Sequence, residues 1–450
     1  MNKEEIMGKL RELISNEEKR SEHEKGEEKT SSVAKHFLFV ANEYISDELK
    51  KNGKEGEFDI LKIRREVEPW LTAVFQSEHL SLLVGSGLSI AMSNYSDMMS
   101  RIDFEHKEYK DEIKQVSDNQ AKELGRGEAN FEDDLRVAID LLKGYEIQNN
   151  ELKDSLKQEI NKNLTTLLKN ILNAEKNIKE ENLPILKSFL LSFASRTASK
   201  DRLNIFTTNY DRFLEYGLDE AGILILDRFI GKIKPIMRFH RIDLDYHYNP
   251  PGIRGEPRYV EGVVRFTKLH GSIDWQFEQD IFGQNRIVKI PLLFGADVSD
   301  DFFNEPYEKV VIFPNSSKAV ETSYFPYSEL FRDFSTAICR PNSVLVTYGY
   351  GFGDSHINRI ILDMLTIPST HLVIISYGIE ERVVNFIEKC NLSQLTILLG
   401  DHLGNLNNLS QYYLPKPAID RITDRQAKIV EKRGKLNDSL KFSEGNENNV

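Results

Sequence analysis

Hydrophobic residues from Trp70 onward form short apolar runs separated by stretches with helical spacing. The run HLSLLVG ends in glycine and is followed by LSIAM, which predicts a strand, a tight turn and a helix. Helical stretches such as INRIILDML and ERVVNFIEKC separate later runs that are typical of strands: LNIFTT, GILIL, GVVRFTKLHG, KVVIFP, NSVLVTYGYG, HLVIISYG and LTILLG. Apolar strands alternating with helices predict an α/β fold with a doubly wound, mostly parallel, Rossmann-like sheet.

Three regions depart from this alternation. Residues 1–66 are charged and helix-prone, so we predict a helical N-terminal extension, with VAKHFLFVANEYI as a helix that either docks on the core or lies on the surface. Residues from about 100 to 200 are predicted to form a large helical insertion. Residues 416–450 are polar and predict a C-terminal tail. The domain that contains the predicted sheet is then expected to cover residues 67–415.

The helical insertion has the clearest periodicity in the chain. Its second half contains apolar residues that recur at helical spacing: Leu152, Leu156, Ile160, Leu164, Leu167 and Ile171. The stretch ENLPILKSFLLSFA predicts a further helix before the strands return.

Composition narrows the class of protein. The chain has 450 residues and a net charge of −12, so we expect no direct binding to nucleic acid through phosphate contacts. Its two cysteines, Cys339 and Cys390, are too few for a four-cysteine zinc site, and no metal is predicted. No apolar signal core opens the sequence and no apolar run reaches the ~20 residues of a membrane span. These features predict a cytoplasmic protein that does not contact membranes.

The first candidate motif is GSGLS, directly after the first strand of the predicted core. Gly85 and Gly87 permit close approach of a ligand to the main chain, and the following helix would aim N–H groups at an anion such as a pyrophosphate. The third glycine of the dinucleotide fingerprint is missing, because Ile90 stands in its place. A tight turn without a ligand is the alternative.

The second motif is TTNYD, at the end of the strand LNIFTT. An amide and a carboxylate, Asn209 and Asp211, fall where open α/β sheets place their ligands. The structural alternative is that Thr208 or Asn209 caps the next helix and that Asp211 complements its dipole.

Two further strand ends carry candidate chemistry. His270 follows the strand GVVRFTKL and is suited to act as a base near neutral pH, although a structural role is the alternative. The stretch YGYGFGDSHIN places Gly349, Gly351 and Gly353 at another strand end, followed by Asp354 as a predicted helix cap. Its alternative is a flexible loop.

In this order, the motifs resemble those of the sirtuin family, which carries G-A-G-x-S, T-Q-N-I-D and H-G in succession. The resemblance extends over residues 70–410, roughly. The variants TTNYD, KLHGSIDW and YGYGFGDSHIN are most similar to bacterial sirtuin-like proteins of anti-phage defence, which destroy NAD rather than deacylate proteins.

This resemblance implies roles for individual residues. Asn209 matches the catalytic asparagine that positions water and the nicotinamide ribose, and His270 matches the catalytic histidine. Asp211 matches the aspartate that binds the nicotinamide carboxamide. The remaining residues that the resemblance places around NAD are Gly85, Ser86, Gly87, Ser89, Thr208, Gly349, Tyr350, Gly351 and Phe352.

Two departures qualify the resemblance. The zinc module that follows H-G in deacetylating sirtuins is replaced by SIDWQFEQDIFGQNRIVKIP, which contains no cysteine. Tyr210 stands where the family has isoleucine. We therefore predict an NAD glycohydrolase that acts as the toxic effector of an anti-phage system, with NAD as substrate. An NAD-dependent deacylase or ADP-ribosyltransferase and a non-catalytic NAD-sensing scaffold are the alternatives. The resemblance further implies a homo-oligomer and a partner such as a HerA-type ATPase or an Argonaute-like protein.

Overall fold

The computed structural model describes residues 2–23, 36–45, 59–93, 109–123, 129, 131–196, 200–239, 245–248, 258–283, 285–312 and 326–416. The predicted tail therefore lies almost wholly outside the described residues. The strands are β1 (His36–Val40), β2 (Glu43–Tyr44), β3 (His79–Val84), β4 (Asn204–Thr207), β5 (Leu224–Leu226), β6 (Phe229–Ile230), β7 (Ile236–Met237), β8 (His247–Tyr248), β9 (Arg258–Tyr259), β10 (Val263–Lys268), β11 (Gly271–Gln279), β12 (Asn285–Lys289), β13 (Val310–Ile312), β14 (Ser343–Tyr348), β15 (His371–Ser376) and β16 (Leu395–Gly400).

The helices of the same residues are α1 (Lys3–His23), α2 (Ile60–Phe75), α3 (Ser86–Met92), α4 (Lys110–Glu123), α5 (Phe131–Gln148), α6 (Lys153–Lys176), α7 (Leu183–Ala194), α8 (Phe213–Glu220), α9 (Pro306–Lys309), α10 (Tyr327–Ile338), α11 (Ser355–Leu365), α12 (Glu381–Glu388) and α13 (Leu406–Asn408). None of these described helices is long and apolar enough to cross a membrane.

A nine-stranded sheet forms the centre of the molecule, in the order β2-β1-β16-β15-β14-β3-β4-β10-β5. All neighbours from β16 to β5 are parallel, which confirms the predicted mostly parallel sheet. After β3, the chain adds β4, β5 and β10 on one side of that strand. It later adds β14, β15 and β16 on the other side of β3. The direction of winding reverses at β3, where an open α/β sheet forms a crevice for ligands.

Side chains of the central strands point alternately into two hydrophobic cores. Leu82 and Val84 of β3 pack with α2, α7 and α8, whereas Leu83 between them packs with α10, α11 and α12. Helices therefore cover both faces of the sheet. Burial on both faces explains why the strands are continuous apolar runs rather than alternating ones.

The helix predicted within VAKHFLFVANEYI is wrong. Its residues from 36 to 45 form the hairpin β1–β2, and β1 pairs antiparallel with β16 at the edge of the sheet. Ala41 and Asn42 make the turn with φ of 51° and 66°, as a two-residue hairpin turn requires. All five residues of β1 are buried. A short apolar run of this kind does not distinguish strand from helix, and the exposed edge of β16 decided the outcome.

The strand KVVIFP was also predicted to belong to the parallel series, and this placement is wrong. It forms β13, which pairs antiparallel with β11 in a second, five-stranded sheet of order β13-β11-β12-β7-β6. The segment that follows His270 contributes β11, β12 and β13 to this sheet, and β6 and β7 come from before it. Gly271 has φ of +85°, and a Cβ there would lie 1.8 Å from the Val311 carbonyl oxygen, so the H-G glycine is required for strand packing.

In the region of the predicted helical insertion, between β3 and β4, helices α4 to α7 follow one another. The predicted stripe on α6 is buried in a third core with residues of α5, β11 and β13. This core also includes Tyr210, from the turn that carries the candidate asparagine. The insertion therefore packs directly against the motif TTNYD.

Candidate functional site

The candidate asparagine lies in the turn that follows β4, beside the switch point of the sheet. Its side-chain Nδ2 donates to the Gly85 carbonyl at 2.9 Å and to Ser89 Oγ at 3.0 Å. The Asn209 backbone N–H donates to Thr207 Oγ1 at 3.1 Å. Three hydrogen bonds thus fix the backbone and the side chain of Asn209, which is only 8% exposed.

This hydrogen bonding determines which atom of Asn209 can act on a ligand. A carboxamide has two N–H donors, and the contacts to Gly85 and Ser89 use both of them. The Oδ1 atom is then the group that can accept a hydrogen bond from a water molecule or a ribose hydroxyl. Asn209 is thereby oriented as an acceptor toward the ligand.

Asp211 completes a chain of buried polar groups. Ser89 Oγ donates to Asp211 Oδ2 at 2.5 Å, and the Phe213 N–H donates to Asp211 Oδ1 at 3.3 Å. Burial raises the pKa of Asp211, and the nearby Lys268 ammonium and the Ser89 hydroxyl partly oppose that rise. Lys268 Nζ donates to the Asp211 carbonyl and, at 3.0 Å, to Glu215 Oε1. The carboxylate of Asp211 therefore holds Ser89, which in turn holds Asn209.

The helix-capping alternative is settled residue by residue. Helix α8 begins at Phe213, so neither Thr208 nor Asn209 stands at its N-cap, and that alternative is wrong for both. The Thr208 N–H extends the strand ladder by donating to Val84 at 3.2 Å. Asp211 does accept the Phe213 N–H at the start of the helix. Asp211 therefore accepts hydrogen bonds both from the start of helix α8 and from Ser89 in the chain of buried polar groups.

The helical insertion holds both flanks of this turn. Arg212 and Glu175 of α6 form a buried, two-pronged ion pair with Nη2–Oε2 at 2.7 Å and Nε–Oε1 at 3.1 Å. Tyr210 Oη donates to Glu132 Oε1 of α5 at 2.8 Å. Burial raises the pKa of Glu175, opposed by the Arg212 guanidinium. These contacts were not predicted from the sequence, because nothing in its spacing joins residues 37 or 78 positions apart.

The GSG and YGYG glycines pack against each other. A Cβ on Gly85 would lie 2.5 Å from the Gly349 carbonyl oxygen, and one on Gly87 would lie 2.6 Å from Gly349 Cα. Gly349 itself has φ of +59°. The Gly87 N–H donates to the Gly349 carbonyl at 3.0 Å. Contact between the ends of β3 and β14 is therefore one physical reason for all three glycines.

The other predicted NAD residues occupy different environments. Ser86 is exposed and Thr208 and Gly351 are half-buried, whereas Ser89 is 2% exposed and engaged with Asn209 and Asp211. Tyr350 and Phe352 are buried, with ring centroids 4.8 Å apart. Contact of these residues with NAD stays a prediction.

His270 lies in the turn after β10 and is 3% exposed. Its ring centroid is 6.5 Å from that of Tyr210 and 5.7 Å from that of His356, while its Nε2 lies 4.0 Å from Asp354 Oδ2. The carboxyl ends of β10, β4, β3 and β14 thus bring all four candidate motifs to one edge of the sheet. His356 was not among the predicted site residues, although its position in DSH after a glycine-rich strand end was a signal for it.

A family model described as a SIR2-like domain matches residues 203–395. The match supports a sirtuin-like family. It covers the sheet from β4 to the start of β16, and includes Asn209, Asp211, His270 and the YGYG segment. No curated protein matches the chain.

The SIR2-like match is consistent with NAD-related activity of an α/β domain of Rossmann type. The GSG segment, β3 and the helical insertion lie outside the matched residues. The structure nevertheless places GSG in hydrogen-bonding contact with Asn209, which lies within the match. The candidate site is thus built from both parts of the chain.

Proposed function

We propose that this protein is an NAD glycohydrolase, which cleaves NAD to ADP-ribose and nicotinamide. The observation that carries the proposal is the fixed orientation of Asn209 at the end of β4, held by Gly85 and Ser89, with buried His270 after the neighbouring strand β10. The SIR2-like match supports NAD as the substrate.

The chemistry of NAD suits this arrangement. The N-glycosidic bond already has a cationic leaving group, so cleavage needs no acid to protonate nicotinamide. What the reaction requires is alignment of one water molecule with an oxocarbenium-like ribosyl carbon. Holding such a water in place contributes several kcal/mol through proximity, on the order of 7–11 kcal/mol at best. In the proposed reaction, Asn209 Oδ1 accepts a hydrogen bond from this water or from the ribose hydroxyl.

His270 is the proposed base. It would accept the proton of the attacking water, directly or through a ribose hydroxyl, as the new C–O bond forms and nicotinamide leaves. Burial of the imidazole at the end of β10 holds it within the same edge of the sheet as Asn209.

Nicotinamide release from NAD by the purified protein tests the proposal. We expect Asn209→Ala and His270→Ala each to abolish release while near-ultraviolet circular dichroism shows an intact fold. Asn177→Ala is the control, because Asn177 is an exposed asparagine at the end of α6 whose side chain donates to the Asn173 carbonyl. Full turnover in either site variant would overturn the assignment.

The assay also separates the alternatives. A deacylase consumes NAD only when an acetylated peptide is added, whereas a glycohydrolase does not need it. An ADP-ribosyltransferase would transfer label from NAD to a protein. Tight binding of NAD without release of nicotinamide would favour a sensing scaffold.

An enzyme that empties the NAD pool must be restrained. We propose that it acts as the effector of an anti-phage system, as a homo-oligomer controlled by a partner of the HerA-type ATPase or Argonaute-like kind. The partner's effect on nicotinamide release is the corresponding measurement.

A further inference from the structure

We propose that His270, Asp354 and His356 form a binding site for one divalent transition-metal ion of the zinc class. The Asp354 carboxylate and the two imidazoles each offer one ligand atom, and these atoms all lie within 4.8 Å of one another. Among the residues that the structure describes, this is the group with metal-binding geometry. The prediction that no metal binds rested on the number of cysteines alone.

The donor set selects the type of ion. Two imidazole nitrogens and one carboxylate oxygen suit Zn²⁺ and its neighbours in the first transition row, whereas Mg²⁺ and Ca²⁺ prefer oxygen alone. Zinc bonds of about 2.0–2.1 Å place tetrahedral ligand atoms about 3.3 Å apart. His270 Nε2 and Asp354 Oδ2 are 4.0 Å apart, so small side-chain movements bring them into range.

The three side chains come from two elements of the fold, a turn and the start of a helix. His270 lies in the turn after β10, where the adjacent Leu269 N–H donates to Thr207 at 2.8 Å. Asp354 and His356 lie at the start of α11, a helix of eleven residues. Asn358 Nδ2 donates to the Phe352 carbonyl at 2.9 Å and so holds the loop before this helix. The ligands therefore meet without rearrangement of the backbone.

Access and coordination number are also consistent with an exchangeable ion. His270 and His356 are 3% and 6% exposed, while the Asp354 side chain is 23% exposed and is the most accessible of the three ligands. Three protein ligands leave at least one position of a tetrahedral ion for water or another ligand. The positive end of the α11 dipole opposes the ion, and the Asp354 carboxylate offsets it.

Occupancy of this site has a consequence for catalysis, which rests on the proposed function. A metal ion binds the lone pair of an imidazole nitrogen that a base would use for a proton. An ion held by His270 would therefore remove the proposed base and inhibit nicotinamide release. The site would act as an inhibitory metal switch within the catalytic edge.

Binding is measured first, without any turnover. Full-length protein is treated with a chelator and titrated with Zn²⁺ by calorimetry and with Co²⁺ by visible absorption. We expect one ion per chain and a Co²⁺ spectrum of low coordination number. His356→Gln and Asp354→Asn should each weaken binding about tenfold or more. His247→Gln, which removes an exposed imidazole outside the group, should not weaken it.

Inhibition is measured second. Zn²⁺ should suppress nicotinamide release by the wild-type protein, and EDTA should restore it, whereas His356→Gln should resist the same concentration. Absence of stoichiometric binding, or equal binding by both site variants and the wild type, would overturn the metal site. Specific binding by a protein that never cleaves NAD would retain the site and refute the glycohydrolase.

Discussion

The side-chain amide of Asn209 donates to the Ser89 hydroxyl across 3.0 Å, and Ser89 donates on to Asp211 at 2.5 Å. The first residue follows β4 and the second lies in α3 after β3, so the contact joins two strand ends at the switch point of the sheet. Because it is buried, this contact orients the amide and excludes alternative rotamers of Asn209.

Removal of the Ser89 hydroxyl, which lies between Asn209 and Asp211, should disorder the side-chain amide of Asn209. Ser89→Ala leaves Asn209 and Asp211 without a shared partner, at a cost of about 1–3 kcal/mol for the unsatisfied buried groups. If this free energy is added to the activation barrier of the proposed reaction, the rate of nicotinamide release drops by about 5-fold to 150-fold. Steady-state assays of NAD cleavage measure the drop. Ser192→Ala, which removes another buried hydroxyl from helix α7, is the control. Equal rates for both variants would contradict the positioning role.

The ion pair between Glu175 and Arg212 should be strongly coupled. Loss of one partner leaves the other charge buried, so Glu175→Leu or Arg212→Met should each lower the free energy of unfolding by about 3–5 kcal/mol. The double variant should lose less than the sum, with a coupling of about 0.5–3 kcal/mol in urea unfolding.

The neighbouring surface pair provides the comparison for this cycle. Lys176 and Asp297 have side chains 50% and 76% exposed, so Asp297→Asn should cost under about 1 kcal/mol. Strict additivity of the Glu175 and Arg212 substitutions would show that the two residues act independently.

Contact between the glycine loops should be sensitive to one methyl group. Gly349→Ala would place a Cβ 2.7 Å from Gly87 Cα at a residue with φ of +59°, so we expect a loss of stability of about 2 kcal/mol or more. Gly351→Ala is matched to it. There the nearest atom is Glu380 Oε2 at 3.4 Å, and the change in stability should stay within about 0.5 kcal/mol. Thermal unfolding measures both, and the proposed packing role fails if they are equally stable.

Acid should weaken the fold through a half-buried histidine away from the site. Burial lowers the pKa of His371 from 6.5 to about 4, and its Nε2 lies 2.8 Å from Thr396 Oγ1. The unfolded chain therefore binds a proton at a higher pH than the native protein does. Stability is fully present above pH 6.5 and falls as the pH decreases toward 4, by at most about 3 kcal/mol from this group.

The matching measurement is urea unfolding across this pH range. His371→Gln should flatten the dependence, while His36, whose pKa burial lowers to about 3, continues to titrate in both proteins. An unchanged pH slope in the variant would remove His371 as a source of acid sensitivity.

The sequence by itself determined most of the local elements and the strand ends that carry the candidate site residues. Continuous apolar runs predicted β3, β4, β10, β14, β15 and β16, because strands buried on both faces need apolar residues throughout. Asn209 and His270 were each placed at a strand end, and the resemblance in motif order implied that both contact NAD. These inferences depend on neighbours in sequence and on the rules of a single sheet.

Only the tertiary structure decided the contacts between distant segments. The run at residues 36–40 became a strand because the edge of β16 supplied its hydrogen-bond partners, and no local pattern specifies that partner. Packing of the whole chain brings Glu175 into an ion pair with Arg212, and the ring of His356 close to that of His270. Close packing between the ends of β3 and β14 also gives Gly85, Gly87 and Gly349 a structural role besides their predicted contact with NAD. Such interactions join residues far apart in sequence, so their geometry follows from the complete fold rather than from spacing.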